Sequence, residues 1–173
     1  VATSRDGLHF HRWNEAFLRP GLRTQHNWAY GDNYFARGVL ETAPTDDDTP
    51  RELSLFATES YFTGEWSRLR RLTLRIDGFG SIFAPLDGGE VITRPLTFSG
   101  STLVLNASTS AGGSIFVELQ DAEGKALPGF SMEESSEIFG DYLEYEVRWK
   151  KGRDVSAQAG RPAGLEAIGD EAD

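Results

Sequence analysis

The sequence predicts an all-β chain, an antiparallel β-sandwich of jelly-roll-like type preceded by a separate group of strands. Three observations carry this prediction. Apolar residues recur with a period of two in run after run, turn-forming Asp-Gly and Gly-Gly pairs separate the runs, and no stretch keeps a helical apolar period over several turns. Nineteen Gly against a single Met fits a turn-rich protein of 173 residues. A chain of that length buries roughly 70% of its unfolded surface, enough for one solid core or two small ones.

Taken in chain order, Ala36 to Thr42 and Leu53-Ser54-Leu55-Phe56-Ala57 read as strands. Leu72, Leu74 and Ile76 share a face opposed by Arg71, Thr73 and Arg75, and the out-of-phase Leu69 predicts a bulge near Arg70. Gly89 to Thr93 is a further strand. Leu103, Leu105 and Ala107 share one face, as do Ile115, Val117 and Leu119. The clearest alternation is residues 143–149, where Leu143, Tyr145, Val147 and Trp149 oppose Glu144, Glu146 and Arg148. Trp149 therefore belongs to the core. Turns fall at Asp6-Gly7, Asp77-Gly78, Asp87-Gly88-Gly89, Ala111-Gly112-Gly113, Glu123-Gly124, Pro128-Gly129 and Lys151-Gly152, because Asp and Gly tolerate the positive φ of tight hairpins. A boundary is expected near Asp77-Gly78, which divides the chain into 1–77, a sandwich over 78–160, and a tail over 161–173. From Gly160 onward the alternation is lost, and the tail is expected to be loosely ordered.

Seventeen basic and 27 acidic residues leave a net charge of −10. Such a surface repels phosphate backbones and anionic lipids, so nucleic acid and membrane surfaces are excluded as partners. The absence of Cys excludes thiol catalysis, disulfides and thiolate metal sites. No apolar run approaches the roughly 20 residues of a spanning helix. The start at Val1 has neither Met nor the pattern of a signal peptide, and an excised piece of a longer protein is the expectation.

Ser4-Arg5-Asp6-Gly7-Leu8-His9-Phe10 resembles the S-x-D-G-x-x-F hairpin element of five-bladed β-propeller glycosidases, similar to those of glycoside hydrolase families 32 and 43. Trp28-Ala29-Tyr30-Gly31-Asp32 occupies the place of the Trp- and Gly-containing segment that follows it there, and residues 53–57 look like the next blade strand. Residues 69–79 resemble the exit from the propeller. Gly112 to Asp121, Pro128-Gly129-Phe130-Ser131 and Gly140-Asp141 resemble the β-sandwich beyond it in bacterial relatives. The resemblance implies a last propeller blade followed by a sandwich, at the C-terminal end of a glycosidase-like protein that is extracytoplasmic or secreted. It also implies that the main catalytic acids lie on earlier blades. Those relatives continue past the Gly-Arg-Pro position with an apolar strand, which residues 160–168 do not match. A sandwich lacking that strand would offer an unpaired edge for a homodimer.

Glycosidases need two carboxylates about 5 to 10 Å apart, one of them with a raised pKa. The best local candidates are Asp32 and Glu59, with a structural ion pair to neighbouring Arg residues as the alternative for Glu59. His26, Trp28 and Tyr61 are the candidate carbohydrate-binding residues, since aromatic rings stack on pyranose faces; core packing is the alternative for Trp28 and Tyr61. Exposure of Trp66, Phe79 or Phe130 would favour a carbohydrate-binding module. His9 and His11 share a strand face but lack a third metal ligand. Asp46-Asp47-Asp48 has no calcium-loop spacing around it, and Glu133, Glu134, Glu137 and Asp141 form a second acidic loop; both read as solvated. No cofactor motif is present. The function expected is a non-catalytic structural accessory, with a carbohydrate-binding module, an active glycosidase and an oligomerisation domain as alternatives.

Overall fold

The computed structural model describes residues 1–24, 26–28, 30–44, 50–62, 64–85 and 87–170. The acidic run Asp46-Asp47-Asp48 lies outside the described residues. The chain is all-β, built from several antiparallel sheets, and it divides into two compact units, Val1–Ser81 and Ile82–Asp173.

In the first unit, β1 (Ala2–Thr3) pairs with β2 (His11–Arg12), and β3 (Leu40–Thr42), β4 (Glu52–Glu59) and β5 (Arg68–Arg75) form a sheet in that order. β4 is the central strand and is covered on both faces. Leu55 and Ala57 are buried on one face. Ser54 is buried on the other, where its Oγ shares a hydrogen bond with Thr42 Oγ1 at 2.9 Å and accepts one from Arg71 Nε at 2.8 Å. A hydroxyl placed there needs those partners, because an unsatisfied buried polar group costs about 1–3 kcal/mol. The strand expected over 36–42 is split. Asn33, Tyr34 and Ala36 bond the C-terminal half of β4 through Asn33 N to Thr58 O (2.8 Å), Thr58 N to Tyr34 O (3.0 Å) and Ala36 N to Phe56 O (2.7 Å), while β3 bonds its other half.

The bulge expected near Arg70 is absent: β4 and β5 pair without interruption from Glu52↔Arg75 to Glu59↔Arg68. Leu69 is simply exposed, and a lone exposed Leu costs less than breaking an eight-residue ladder. The irregular register lies elsewhere, between Leu105 and Ala107, in the pairing of β7 (Val104–Ser108) with β9 (Asp141–Glu146).

In the second unit, β6 (Gly89–Ile92), β10 (Gly164–Asp170) and β8 (Ser114–Gln120) form a sheet in that order, and β7 and β9 form a second. One core serves both sheets: Val117, Leu119, Phe130, Ile138, Val147, Trp149 and Val155 are buried together, with Leu103, Leu105, Ile115, Tyr145, Leu165 and Ala167 packed against them. These are the apolar faces the alternation marks out. Trp149 meets Phe130 edge to face at 5.1 Å and donates its indole N–H to Val117 O at 2.8 Å, which satisfies the one polar atom its burial would orphan. The outer edge of β8 is covered by the segment after it, through Leu119 N to Phe130 O (3.0 Å) and the reciprocal bonds of Ile115 and Ile138.

The expectation of a loosely ordered tail is overturned. Residues 164–170 form β10, the central strand of its sheet, paired with β8 from Gly164↔Gln120 to Asp170↔Ser114 and with β6 from Glu166↔Ile92 to Gly169↔Gly89. Leu165 and Ala167 pack on the core while Ile168 stands on the opposite face with Glu166, so apolar and polar residues are not sorted cleanly by side. Backbone pairing on both edges, more than a hydrophobic stripe, places this strand. The tail thus supplies a strand of its own to this sheet.

Amide hydrogen exchange tests the assignment: the β10 amides are expected to exchange as slowly as those of β8, because both strands are paired on both edges. Exchange of residues 165–169 at the rate of an unstructured chain would overturn it.

Candidate functional site

Beyond the end of β4, Tyr61 and Trp66 meet residues of the stretches 26–28 and 30–34. Side-chain hydrogen bonds tie the two regions together and close the turn. Asp32 Oδ1 accepts from Tyr61 N at 2.6 Å, Thr58 Oγ1 donates to Gly31 O at 2.6 Å, and Ser67 Oγ donates to Ser60 O at 3.0 Å across the turn. Gly31, at φ +91°, packs directly under the Tyr61 ring: an added Cβ would lie 2.2 Å from Tyr61 Cδ1. Only glycine fits that combination of left-handed backbone and close approach.

The rings gathered here face solvent. His26 stacks on Trp66 at 5.0 Å with an interplanar angle of 11°, Tyr61 lies 4.3 Å from Phe62, and Tyr30 meets Tyr34 edge to face at 6.2 Å. Phe62 is 82% exposed and Trp66 58%; Trp28 and Tyr30 are exposed as well. Among the described residues of this region, Asn33 at φ 62°, Ser60 at 54° and Phe62 at 60° occupy left-handed backbone. A bulky residue in that conformation is strained by about 1–2 kcal/mol.

Both candidate carboxylates are committed to local structure. Glu59, 20% exposed, bonds Arg70 Nη1 at 2.6 Å and Arg68 Nε at 2.7 Å. The Arg70 bond first, and then the Arg68 bond, hold its carboxyl below the usual range despite partial burial. An acid held ionised in this way is poorly suited to donate a proton near neutrality. Asp32 fixes the backbone of Tyr61. The structure thus brings His26, Asp32, Glu59 and Tyr61 to two adjoining segments, with Trp28 exposed on the first of them. Sequence reasoning did not place Phe62 or Tyr30 in this group. An exposed aromatic in a turn leaves no periodic signal, and a positive φ at Phe62 is visible only in the backbone.

The Ser4-Arg5-Asp6-Gly7 motif makes a turn. Asp6 Oδ1 accepts from His9 N (2.8 Å), Leu8 N (2.9 Å) and Ser4 Oγ (3.0 Å), while Ser4 Oγ accepts from Gly7 N (2.9 Å). The His9 backbone bond leads the forces that hold the Asp6 carboxyl well below the ordinary range. A shallow concavity of about 400 Å³ is lined by Thr3, Ser4, Arg5, Asp6, His9 and His11. The two histidines have separate partners in it: His9 Nδ1 lies 2.6 Å from Asp6 Oδ2, and His11 sets its ring against Trp13 at 4.9 Å. Among the described residues no three His, Asp or Glu side chains are grouped to hold a metal.

Of the other aromatics named from the sequence, Phe79 is exposed and stacks on Phe17 at 5.9 Å, whereas Phe130 is buried in the core. In the second acidic loop, Glu134 accepts from Ser131 Oγ at 2.9 Å, which lowers its pKa, while Glu133, Glu137 and Asp141 are exposed. No protein-family model, curated protein or solved structure matches the chain.

Replacing Glu59 by Gln is expected to lower stability by about 1 kcal/mol at pH 7, since it leaves two guanidinium groups without their anion. The folded-state pKa of Glu59 is depressed, so its contribution is present above the unfolded value and lost as pH falls through the folded one. Denaturant titrations at pH 7 and pH 2.5 should therefore show the wild type and Glu59→Gln converging in acid. An equal gap at both pH values would refute the ion-pair account.

Proposed function

We propose that this chain is a non-catalytic accessory β-domain of a glycosidase-like protein, and that it engages carbohydrate through the aromatic group beside the β4–β5 turn. One observation carries the reading: the rings of Tyr30, Phe62 and Trp66 stand in solvent on a hydrogen-bonded frame, while the carboxylates beside them are tied up in structure. An apolar pyranose face gains by covering such rings. The hydroxyls at its rim are satisfied by nearby polar groups, of which Glu59 with its two arginines and His26 are the nearest in sequence. The strain at Phe62 supports the same reading, because backbone strain is retained where a side chain must be presented. The glycosidase context is drawn from the resemblance of residues 4–10 to propeller-blade hairpins, a motif that here closes a turn on Asp6.

A fluorescence titration with plant, algal and bacterial oligosaccharides tests this. Saturable quenching by one glycan class is expected, reduced at least tenfold in affinity by Trp66→Ala. A flat response across the panel at millimolar sugar would overturn the reading. Phe62→Gly separates presentation from packing: it is expected to raise stability by about 1 kcal/mol through release of the left-handed strain, while weakening binding. A variant that loses stability and binds as before would show Phe62 to be a packing residue.

Self-association is a second reading, favoured by β5, which among the described residues stands at the edge of its sheet, with β4 as its strand neighbour. Light scattering across a dilution series would show a concentration-dependent dimer; monomer throughout would exclude it.

A further inference from the structure

β10 carries a carboxylate between two others. Glu166 stands directly opposite Glu118 on β8, and on its other side Glu90 of β6 pairs with Ile168, two residues along. By strand alternation all three lie on the face opposite the core-facing Leu165, Ala167, Val117 and Leu119. Gln120, only 7% exposed, donates through Nε2 both to Glu118 Oε1 at 3.1 Å and to Glu166 Oε2, so one amide bridges two acids on neighbouring strands. Glu118 Oε2 accepts a further bond from Met132 N at 2.9 Å. Among the described residues no Lys, Arg or His forms an ion pair with any of the three.

We propose that Glu90, Glu166 and Glu118 act as a proton-dependent latch on β10, which holds the strand in its sheet while the row shares a proton and loosens it when all three carboxylates are ionised. A protonated carboxyl donates where an ionised one only accepts, so a Glu166–Glu90 contact is a hydrogen bond with the proton and a repulsion without it. Glu118 has a donor of its own in Met132 N, beyond the Gln120 amide that it shares with Glu166, so the shared proton is assigned to the Glu166–Glu90 contact.

The charged groups around the row leave this logic unopposed. Glu90 faces Glu166 from β6 and Glu118 from β8. The single helical turn Met132–Glu134 offers the backbone N–H of Met132, while Glu133 is exposed and Glu134 is bonded to Ser131. In the loop after β8, Asp121 accepts from its own turn, from Glu123 N at 3.0 Å and Lys125 N at 2.9 Å. The Glu166 carboxyl is pushed up to about 7, first by the hydrogen bond with Glu90, then by burial and by the charges of Glu90 and Glu118. A folded-state pKa raised above the unfolded one stabilises fully below about 4.5, and that stability is lost as pH rises through about 7.

Thermal unfolding of the full chain between pH 5 and pH 8 tests the latch, with Glu166→Gln and Glu90→Gln alongside. The wild-type midpoint is expected to fall by about 5 °C across this window, and the exchange of β10 amides to quicken. In Glu166→Gln the fall attributable to the row disappears, and in Glu90→Gln it shrinks. All three histidines lie in the first unit and are common to every variant, so the comparison removes their contribution. Should Glu166→Gln fail to fold, Glu90→Gln decides alone, because its side chain is exposed and its loss leaves the core intact. A wild-type slope retained in Glu90→Gln, or in both variants, would overturn the proposal.

Discussion

A strand with a neighbour on each edge has every backbone donor and acceptor satisfied without water, and each of the larger sheets here is organised around one such strand. In Val1–Ser81 it is β4, paired with β3 and the 33–36 segment on one side and with β5 on the other. In Ile82–Asp173 it is β10, held between β6 and β8. The pairing sets which residues stand opposite each other, and so everything else follows from it. It brings Glu59 against Arg68 at one end of β4, and it lines up Glu166 with Glu118 across the β10 ladder.

The two units meet their energetic needs differently. Ile82–Asp173 has an ordinary core, with two sheets contributing alternating side chains around Val117, Ile138, Val147 and Trp149. Val1–Ser81 buries few side chains, and its larger aromatics are exposed. Its frame depends instead on polar bonds: the Ser54, Thr42 and Arg71 group, the Glu59 pair, the Asp32 bond to Tyr61 and the Asp6 turn. Polar frames of this kind hold geometry without hiding rings, which is what a surface for stacking requires.

Charge is divided along the same line. The first 81 residues hold ten Arg against 11 acidic side chains and are nearly balanced; the rest hold seven basic against 16 acidic. The acidity that argues against nucleic acid is therefore concentrated in the second unit. There, carboxylates crowd one sheet face without a counter-charge among the described residues, and one of them is pushed up above the usual range.

The all-β class and most strands were legible from the sequence, because a sheet with one buried face writes its burial pattern into alternate residues. Residues 101–107, 114–120 and 143–149 show that pattern, and their apolar sides are the core. Turns were legible for a similarly local reason, since Asp-Gly pairs and the Asp6 motif close on their own backbone. Two kinds of feature were not. β10 carries no such signal, because Ile168 and Glu166 share its outer face, and a strand held by neighbours far away in sequence needs no clean stripe of its own. The candidate site was half visible: His26, Trp28, Asp32, Glu59 and Tyr61 could be named from residue type. Whether Glu59 would be a proton donor or an ion-paired anchor depended on Arg68 and Arg70 arriving from the next strand. Residue chemistry and alternation are local properties that a sequence carries by itself. Register, and with it the partner that sets a carboxylate's charge or a ring's exposure, is decided only when distant strands pair.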